Sequence, residues 1–382
     1  MSLDVTMEVL EDKLRSLSID RRTHPKKLTY LLGMAQQPEG VLAVSCSNMS
    51  IHLHHKETLK LQAEYRGHGG PLCALAFAHA SPHLLYSASA DGTVRAWDAR
   101  LPGSDSAQLF RSDSSHSFCS FDLSCGDVLL CAGTEQVDEA DSFLVFWDAR
   151  KPGGSLLGVY SESHSDDITQ VRFHPRDKDR MASCATDGLV NVFDLSRGSE
   201  DEALLATFNG DSCASSLCWC GDDYRRLLCL SQDEGLHLWD LTRLDTEQPL
   251  AVFSCRDVRG LAPTAPGRLD YMVGGAWLED AGKLLVVGGD NAGGLHLMEC
   301  DDGGPRLLKS LRGGHAATVR CFLWDAAAGA LFTGGEDAQL LLWKPGGAEL
   351  TAVKKESMKS CSALKKKSRP HRKHYYSTTV QR

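Results

Sequence analysis

Apolar and polar positions alternate in short runs along most of the chain. The stretch Gly67 to Arg100 shows the unit most fully. Its apolar runs Cys73–Phe77, Leu84–Ser87 and Val94–Trp97 are strand length and are bounded by Gly, Pro, Ser or Asp, which predicts antiparallel strands joined by tight turns. Gly67-His68, Asp91-Gly92 and Trp97-Asp98 punctuate the unit in that order. The Trp97 position recurs at His54, Trp147, Phe193, Trp239, Met298 and Trp343, with successive gaps of 43, 50, 46, 46, 59 and 45 residues from His54 onward. A period of about 40–45 residues with four strands per unit is that of a radially repeated sheet protein. One four-stranded unit cannot bury both of its faces, whereas a closed ring of units does so and leaves only short edges. The expectation is an all-β ring of seven blades.

Along the chain, Leu3, Met7, Leu10, Leu14 and Leu17 are spaced by four or three residues, a helical stripe. Leu17–Arg22 is alternatively the strand that closes the ring by joining the last blade. The expected division is a lead over 1–16, the ring over 17–350 and a tail over 351–382. Blade one comprises Tyr30–Gly33, Val41–Cys46 and Ile51–His54. It departs from the repeat, with Met49 where a turn glycine is expected and histidines at the Trp and Asp positions, His54 and His55. His52 and His54 share one strand face, two ligands where a stable metal site needs three or four. Blade three, Phe118 to Trp147, carries a long acidic loop between Thr134 and Ser142. Blade four opens at His164. Blade six follows a connection, Cys255–Arg268, that contains Pro263 and Pro266. In blade seven the strand pattern stops at Pro345 and two glycines.

Composition sharpens this picture at three points. The fourteen cysteines are scattered mostly through predicted strands with no CxxC pair, as small core residues in a reducing compartment. No run reaches the length of a membrane helix, and the N-terminus has acids where a secretory leader needs bases. The expected location is therefore nuclear or cytoplasmic. The net charge of −9 is uneven. From Lys354 on there are ten Lys/Arg and one acid, while the rest has 31 Lys/Arg against 49 Asp/Glu. An acidic ring, at −18, carries a basic tail at +9. The tail lacks strand pattern and is expected to be disordered. Its run Lys365, Lys366, Lys367, Arg369, Arg372 and Lys373 suits a nuclear localisation signal or a weak, salt-dependent nucleic-acid contact.

Two quartets stand out: His68, Ser87, Asp91 and Trp97 in blade two, and His315, Thr333, Asp337 and Trp343 in blade seven. In both, Asp precedes Trp by six residues and the hydroxyl residue precedes Asp by four. Their order and spacing resemble the WD-repeat β-propeller family. So do the segments CSNMSI, DGTVRAWDAR, CAGTEQVDEADSFLVFWDAR, SHSDDITQVRFHP, DGLVNVFD, GGHAATVR and TGGEDAQLLLWKPG, over roughly residues 28–359. The resemblance implies a seven-bladed propeller in which each quartet is a buried structural chain, not a Ser/His/Asp nucleophile set, since a nucleophile needs an exposed hydroxyl. Blade four keeps Ser183 and Asp187 but has Phe193, and blade five keeps Asp233 and Trp239 but has Cys229.

The resemblance also implies a non-enzymatic scaffold that binds other proteins on its rims, a monomer within a larger assembly, with no cofactor, metal or membrane. Ala90, Thr186, Gln232 and Glu336, just before the turn aspartates, are expected near one rim. Two blades end in Trp-Asp-Ala-Arg, with Asp98 and Arg100 in one and Asp148 and Arg150 in the next. At that spacing Asp and Arg would share one side of a strand. Substrate receptors of the cullin-4 ubiquitin ligase often carry such WDxR motifs, whose Arg meets the damaged-DNA-binding adaptor. An alternative is a nuclear RNA-associated or ribosome-assembly factor anchored by the tail.

Overall fold

The computed structural model describes residues 10–347 apart from 25–26, 39, 102, 104, 113–115, 138–140, 152, 243, 245–249 and 262–267. The basic run and the rest of the expected tail lie outside the described residues. Seven four-stranded antiparallel sheets form seven blades, and the first strands of successive blades contact one another around the ring, including blade seven to blade one. In blade two the strands are Leu72–Phe77, Leu84–Ser89, Thr93–Asp98 and Gln108–Arg111, from inner to outer.

Blade seven is built differently. Its inner three strands are Val319–Asp325, Ala330–Gly335 and Leu340–Pro345, but its outermost strand is Leu17–Arg22, which pairs with Leu340–Pro345. A short helix and the closing strand are both present: residues 10–15 are helical and carry Leu10 and Leu14 of the expected stripe, Leu17 begins the strand that follows, and Leu3 and Met7 lie outside the described residues. Leu14, Leu17 and Ile19 are buried among side chains of blades six and seven. Closure by the N-terminal strand covers edges that would otherwise remain open.

The buried apolar residues fall into seven clusters, one at each seam between neighbouring blades. A rule emerges for the repeat's Trp position: its side chain faces the preceding blade. Trp97 packs at the seam of blades one and two, Trp147 at two and three, Phe193 at three and four, Trp239 at four and five, Met298 at five and six, and Trp343 at six and seven. Polar side chains add rivets across the seams. Ser120 Oγ donates to the Ile168 carbonyl at 2.7 Å, Thr169 Oγ1 to the Ala214 carbonyl at 2.7 Å, and Val319 N–H to Tyr271 Oη at 2.7 Å. Gly133 shows how closely blades approach, because a Cβ there would lie 2.5 Å from Ile168 Cγ2 of the next blade.

In six of the seven blades, all but blade three, the turns between second and third strands share one conformation. Gly92, Gly188 and Gly293 have φ of 73°, 83° and 91°, and Met49, Glu234 and Ala338 hold the same place at 64°, 66° and 60°. Blade one thus keeps the turn geometry without the glycine. Asn48 supports it, with Oδ1 accepting from Ser50 N at 3.2 Å and Ser50 Oγ at 2.6 Å. A non-glycine residue in this left-handed region is strained.

Candidate functional site: the polar chains, the rim and the WDAR turns

In blade two, indole carries only a donor, which sets the direction of the chain. Trp97 Nε1 donates to Ser87 Oγ at 2.8 Å, and the Ser87 hydroxyl donates to His68 Nε2 at 2.8 Å. His68 Nδ1–H then donates to Asp91 Oδ2 at 3.0 Å. Asp91 also accepts from Gly69 N at 2.8 Å and Thr93 Oγ1 at 2.6 Å. Blade seven repeats the chain. Trp343 Nε1 lies 2.9 Å from Thr333 Oγ1, Thr333 Oγ1 lies 2.8 Å from His315 Nε2, and His315 Nδ1 lies 3.0 Å from Asp337 Oδ1. Ser87 and Thr333 are fully buried. A hydroxyl sealed in a seam meets no substrate, so the residue types of a catalytic triad here fasten strands together.

Blade four holds more of the set than its Phe193 suggests. His164 Nε2 lies 2.8 Å from Ser183 Oγ, and His164 Nδ1 lies 3.0 Å from Asp187 Oδ2. Asn191, one strand step from Phe193, places Nδ2 3.3 Å from His164 Nε2. In blade five, Cys229 breaks the chain. His237 there stacks on Trp239 with 9° between the rings and bonds to Ser254 Oγ at 2.9 Å. Burial, the largest single influence, acts to raise the carboxyl pKa of Asp91, Asp187 and Asp337, but the hydrogen bonds from His68, His164 and His315 together with backbone N–H donors and the attraction of each histidine hold all three below the usual carboxylate range.

Ala90, Thr186, Gln232 and Glu336 occupy one equivalent position. Each backbone N–H bonds to a carbonyl of the loop entering its own blade's inner strand: Pro71, Asp167, Cys213 and Thr318, at 2.8–3.0 Å. They share one end of the ring. Gln232 is exposed, whereas Glu336 is held by Arg320 Nε at 2.8 Å.

The WDAR segments lie at the other end, where third strands finish. The strands stop at Asp98 and Asp148, so Arg100 and Arg150 belong to the following turns and not to a strand face. This departs from the expected strand geometry. Each Asp folds the turn by accepting the backbone N–H two residues on, Arg100 N at 3.0 Å and Arg150 N at 3.1 Å. It then grips the guanidinium in two places: Arg100 Nε and Nη2 at 2.9 and 2.6 Å, and Arg150 Nε and Nη2 at 2.9 and 3.0 Å. The Arg side chains remain 64% and 63% exposed. The Arg100 and Arg150 guanidinium groups hold Asp98 and Asp148 down to a pKa of about 2. Three of the five guanidinium N–H donors are left facing solvent in a fixed plane. Asp257 and Arg259 in blade five form the same fork at 2.8 Å, which the spacing Asp-x-Arg signalled without a Trp.

The family model described as WD domain, G-beta repeat, matches residues 59–98 and 154–194. WD repeat-containing protein GTS1 of Arabidopsis thaliana is 30% identical over 322 residues, covering 79% of this chain and 78% of that protein. The chain belongs to the WD-repeat family. The WD repeat-containing protein 89 homolog of Dictyostelium discoideum is 26% identical over 315 residues, covering 82% of both chains. A shorter match, 32% over 145 residues and 36% of this chain, is to the ribosome biogenesis protein WDR12 homolog of Arabidopsis thaliana, of which it covers 30%. WD-repeat propellers are platforms for protein–protein contact and typically non-catalytic. Among the described residues no cluster of three metal-ligating side chains occurs and no helix is long and apolar enough to cross a membrane. The described cysteines are all free thiols.

Proposed function

We propose that this WD-repeat propeller is a non-enzymatic scaffold that engages the cullin-4 adaptor through Arg100 and Arg150. The observation that carries the reading is the repeated fork, in which consecutive blades present an exposed guanidinium fixed by its own Asp. Fixing the side chain beforehand lowers the ordering cost of a contact. A planar donor set suits carbonyl or carboxylate acceptors on a partner. Asp98 and Asp148 act as positioning residues, and Glu336, Gln232 and Thr186 at the opposite end form a second, separate contact rim. The test is binding of the purified chain to the purified adaptor, with Arg100→Glu and Arg150→Glu combined. Loss of binding with unchanged melting supports the reading, and undiminished binding removes it.

A second reading is favoured by the +9 tail and by the partial likeness to a ribosome biogenesis protein. Here the tail anchors the scaffold in nuclear RNA-containing assemblies through Lys365, Lys366, Lys367, Arg369, Arg372 and Lys373. Deleting 354–382 then releases it from those fractions, and retention of the truncated chain counts against this reading.

A further inference from the structure

At the seam between blades seven and one, unlike the other six, the repeat's Trp position carries a histidine. The residue that faces the preceding blade is His54, a smaller ring than the indole of Trp97 or Trp343. The histidine–hydroxyl–aspartate chain is missing with it. Val44 stands across the strand pair where blade two has Ser87, and Asn48 stands where it has Asp91. Nothing replaces the lost volume. A cleft of about 560 Å³ opens there, lined on one side by Thr23, His24, Lys27 and Thr29. Lys56 of blade one and Asp325 of blade seven form a buried ion pair at 2.5 Å across the same seam.

The lining has two characters. Its floor is aliphatic, with Leu31, Leu59 and Leu340. Of its lining residues Leu61 is 47% exposed, and Leu28 and Tyr30, chain neighbours of the lining residues Lys27, Thr29 and Leu31, are 72% and 40% exposed. Its charge is opposite to that of the molecule. Arg22, Lys27 and Arg66 line it against a single carboxylate, Glu64, which pairs with Arg66 at 2.5 Å, on a chain that is −18 outside the tail. His52 and His54 also line it. His54 Nδ1 is engaged with the Leu59 carbonyl at 2.9 Å, which leaves Nε2 as the ring's other polar atom.

We infer that this cleft is a docking site for an acidic peptide segment of a partner protein. An aliphatic or aromatic side chain of the peptide fills the space left by the missing Trp, and a neighbouring Asp or Glu meets Lys27 and Arg66. Charge decides the class of occupant. The same cations disfavour a basic occupant. A nucleic acid gains nothing from the aliphatic floor and needs a longer cationic track. The site is on a different seam from the WDAR turns and does not depend on their role.

The test is selection from a displayed library of 12-residue peptides on the intact chain, followed by affinity measurement of the selected peptides. Three forms are compared: unaltered, His54→Trp, which refills the seam, and Lys27→Glu with Arg66→Glu, which reverses the rim charge at exposed positions and leaves packing intact. Selected peptides are expected to share Asp or Glu beside Leu, Ile or Phe. Their affinity should fall at least about tenfold in both altered forms, equivalent to ~1.4 kcal/mol. Unchanged melting of the charge-reversed form separates lost binding from lost folding. Absence of an acidic-apolar consensus, retention of affinity in either altered form, or equal displacement by poly(U) overturns the assignment.

Discussion

Replacing Ser87 with Ala removes the middle of a buried relay. Two groups lose their partner at once, Trp97 Nε1–H and His68 Nε2, and both lie in a seam where Ser87 is 0% and Trp97 is 1% exposed. An unsatisfied buried polar group costs about 1–3 kcal/mol, so the change costs ~2–6 kcal/mol. Ser183→Ala in blade four is the internal control. Phe193 offers no N–H there, and His164 keeps Asn191 Nδ2 at 3.3 Å, so one partially compensated loss costs ~1 kcal/mol. With an unfolding entropy of roughly 2.1 cal/mol/K per residue, a ring of this size loses on the order of 0.7 kcal/mol of stability per degree of melting shift. Ser87→Ala should therefore lower Tm by about 3–9 °C and Ser183→Ala by about 1–2 °C. Thermal unfolding of both variants by circular dichroism, at one scan rate, reads the difference. Equal shifts, or the larger one in Ser183→Ala, refute the claim that the indole completes the chain.

Four other outcomes follow from the same structure. Met49→Gly should raise stability by ~1 kcal/mol in chemical denaturation, because a 39% exposed side chain is lost and a left-handed turn position is relieved. Asp325→Ala alone should destabilise by ~3–5 kcal/mol, since it leaves Lys56 buried and unpaired, whereas Lys56→Met with Asp325→Leu should be near neutral. Asp91, Asp187 and Asp337 have folded-state values below their unfolded ones, so their stabilisation is complete above about pH 4 and lost as pH falls through the folded values. Tm measured from pH 5 to pH 2 should fall, and Asp337→Asn should flatten part of that fall. Deleting residues 10–22 should expose both edges at the closure and give early hydrogen exchange in Leu340–Pro345, with blade four protected as before.

The repeat was legible because each blade is specified locally. The spacing from His68 through Asp91 to Trp97 places three side chains in one polar chain, and the continuous run Leu84–Ser87 marks a strand buried on both faces without reference to the rest of the ring. The Trp-to-Trp gaps also located all seven third strands, including the degenerate ones at His54 and Met298. What escaped sequence reading depends on residues distant in the chain. Asn191 supports His164 only because a sheet register brings it there. Arg100 leaves its strand because Asp98 captures the backbone N–H that would have continued the pairing. The cleft at His54 was visible only as a departure from the repeat. Its meaning depends on which blade the histidine faces and on the path of residues that precede blade one.

The most direct test of the scaffold reading is affinity purification from cells of three forms of the chain: intact, with Arg100→Glu and Arg150→Glu combined, and lacking residues 354–382. The account predicts that the intact and truncated forms recover the cullin-4 adaptor and that the charge-reversed form does not. Recovery by the charge-reversed form, or absence of the adaptor from all three, contradicts it.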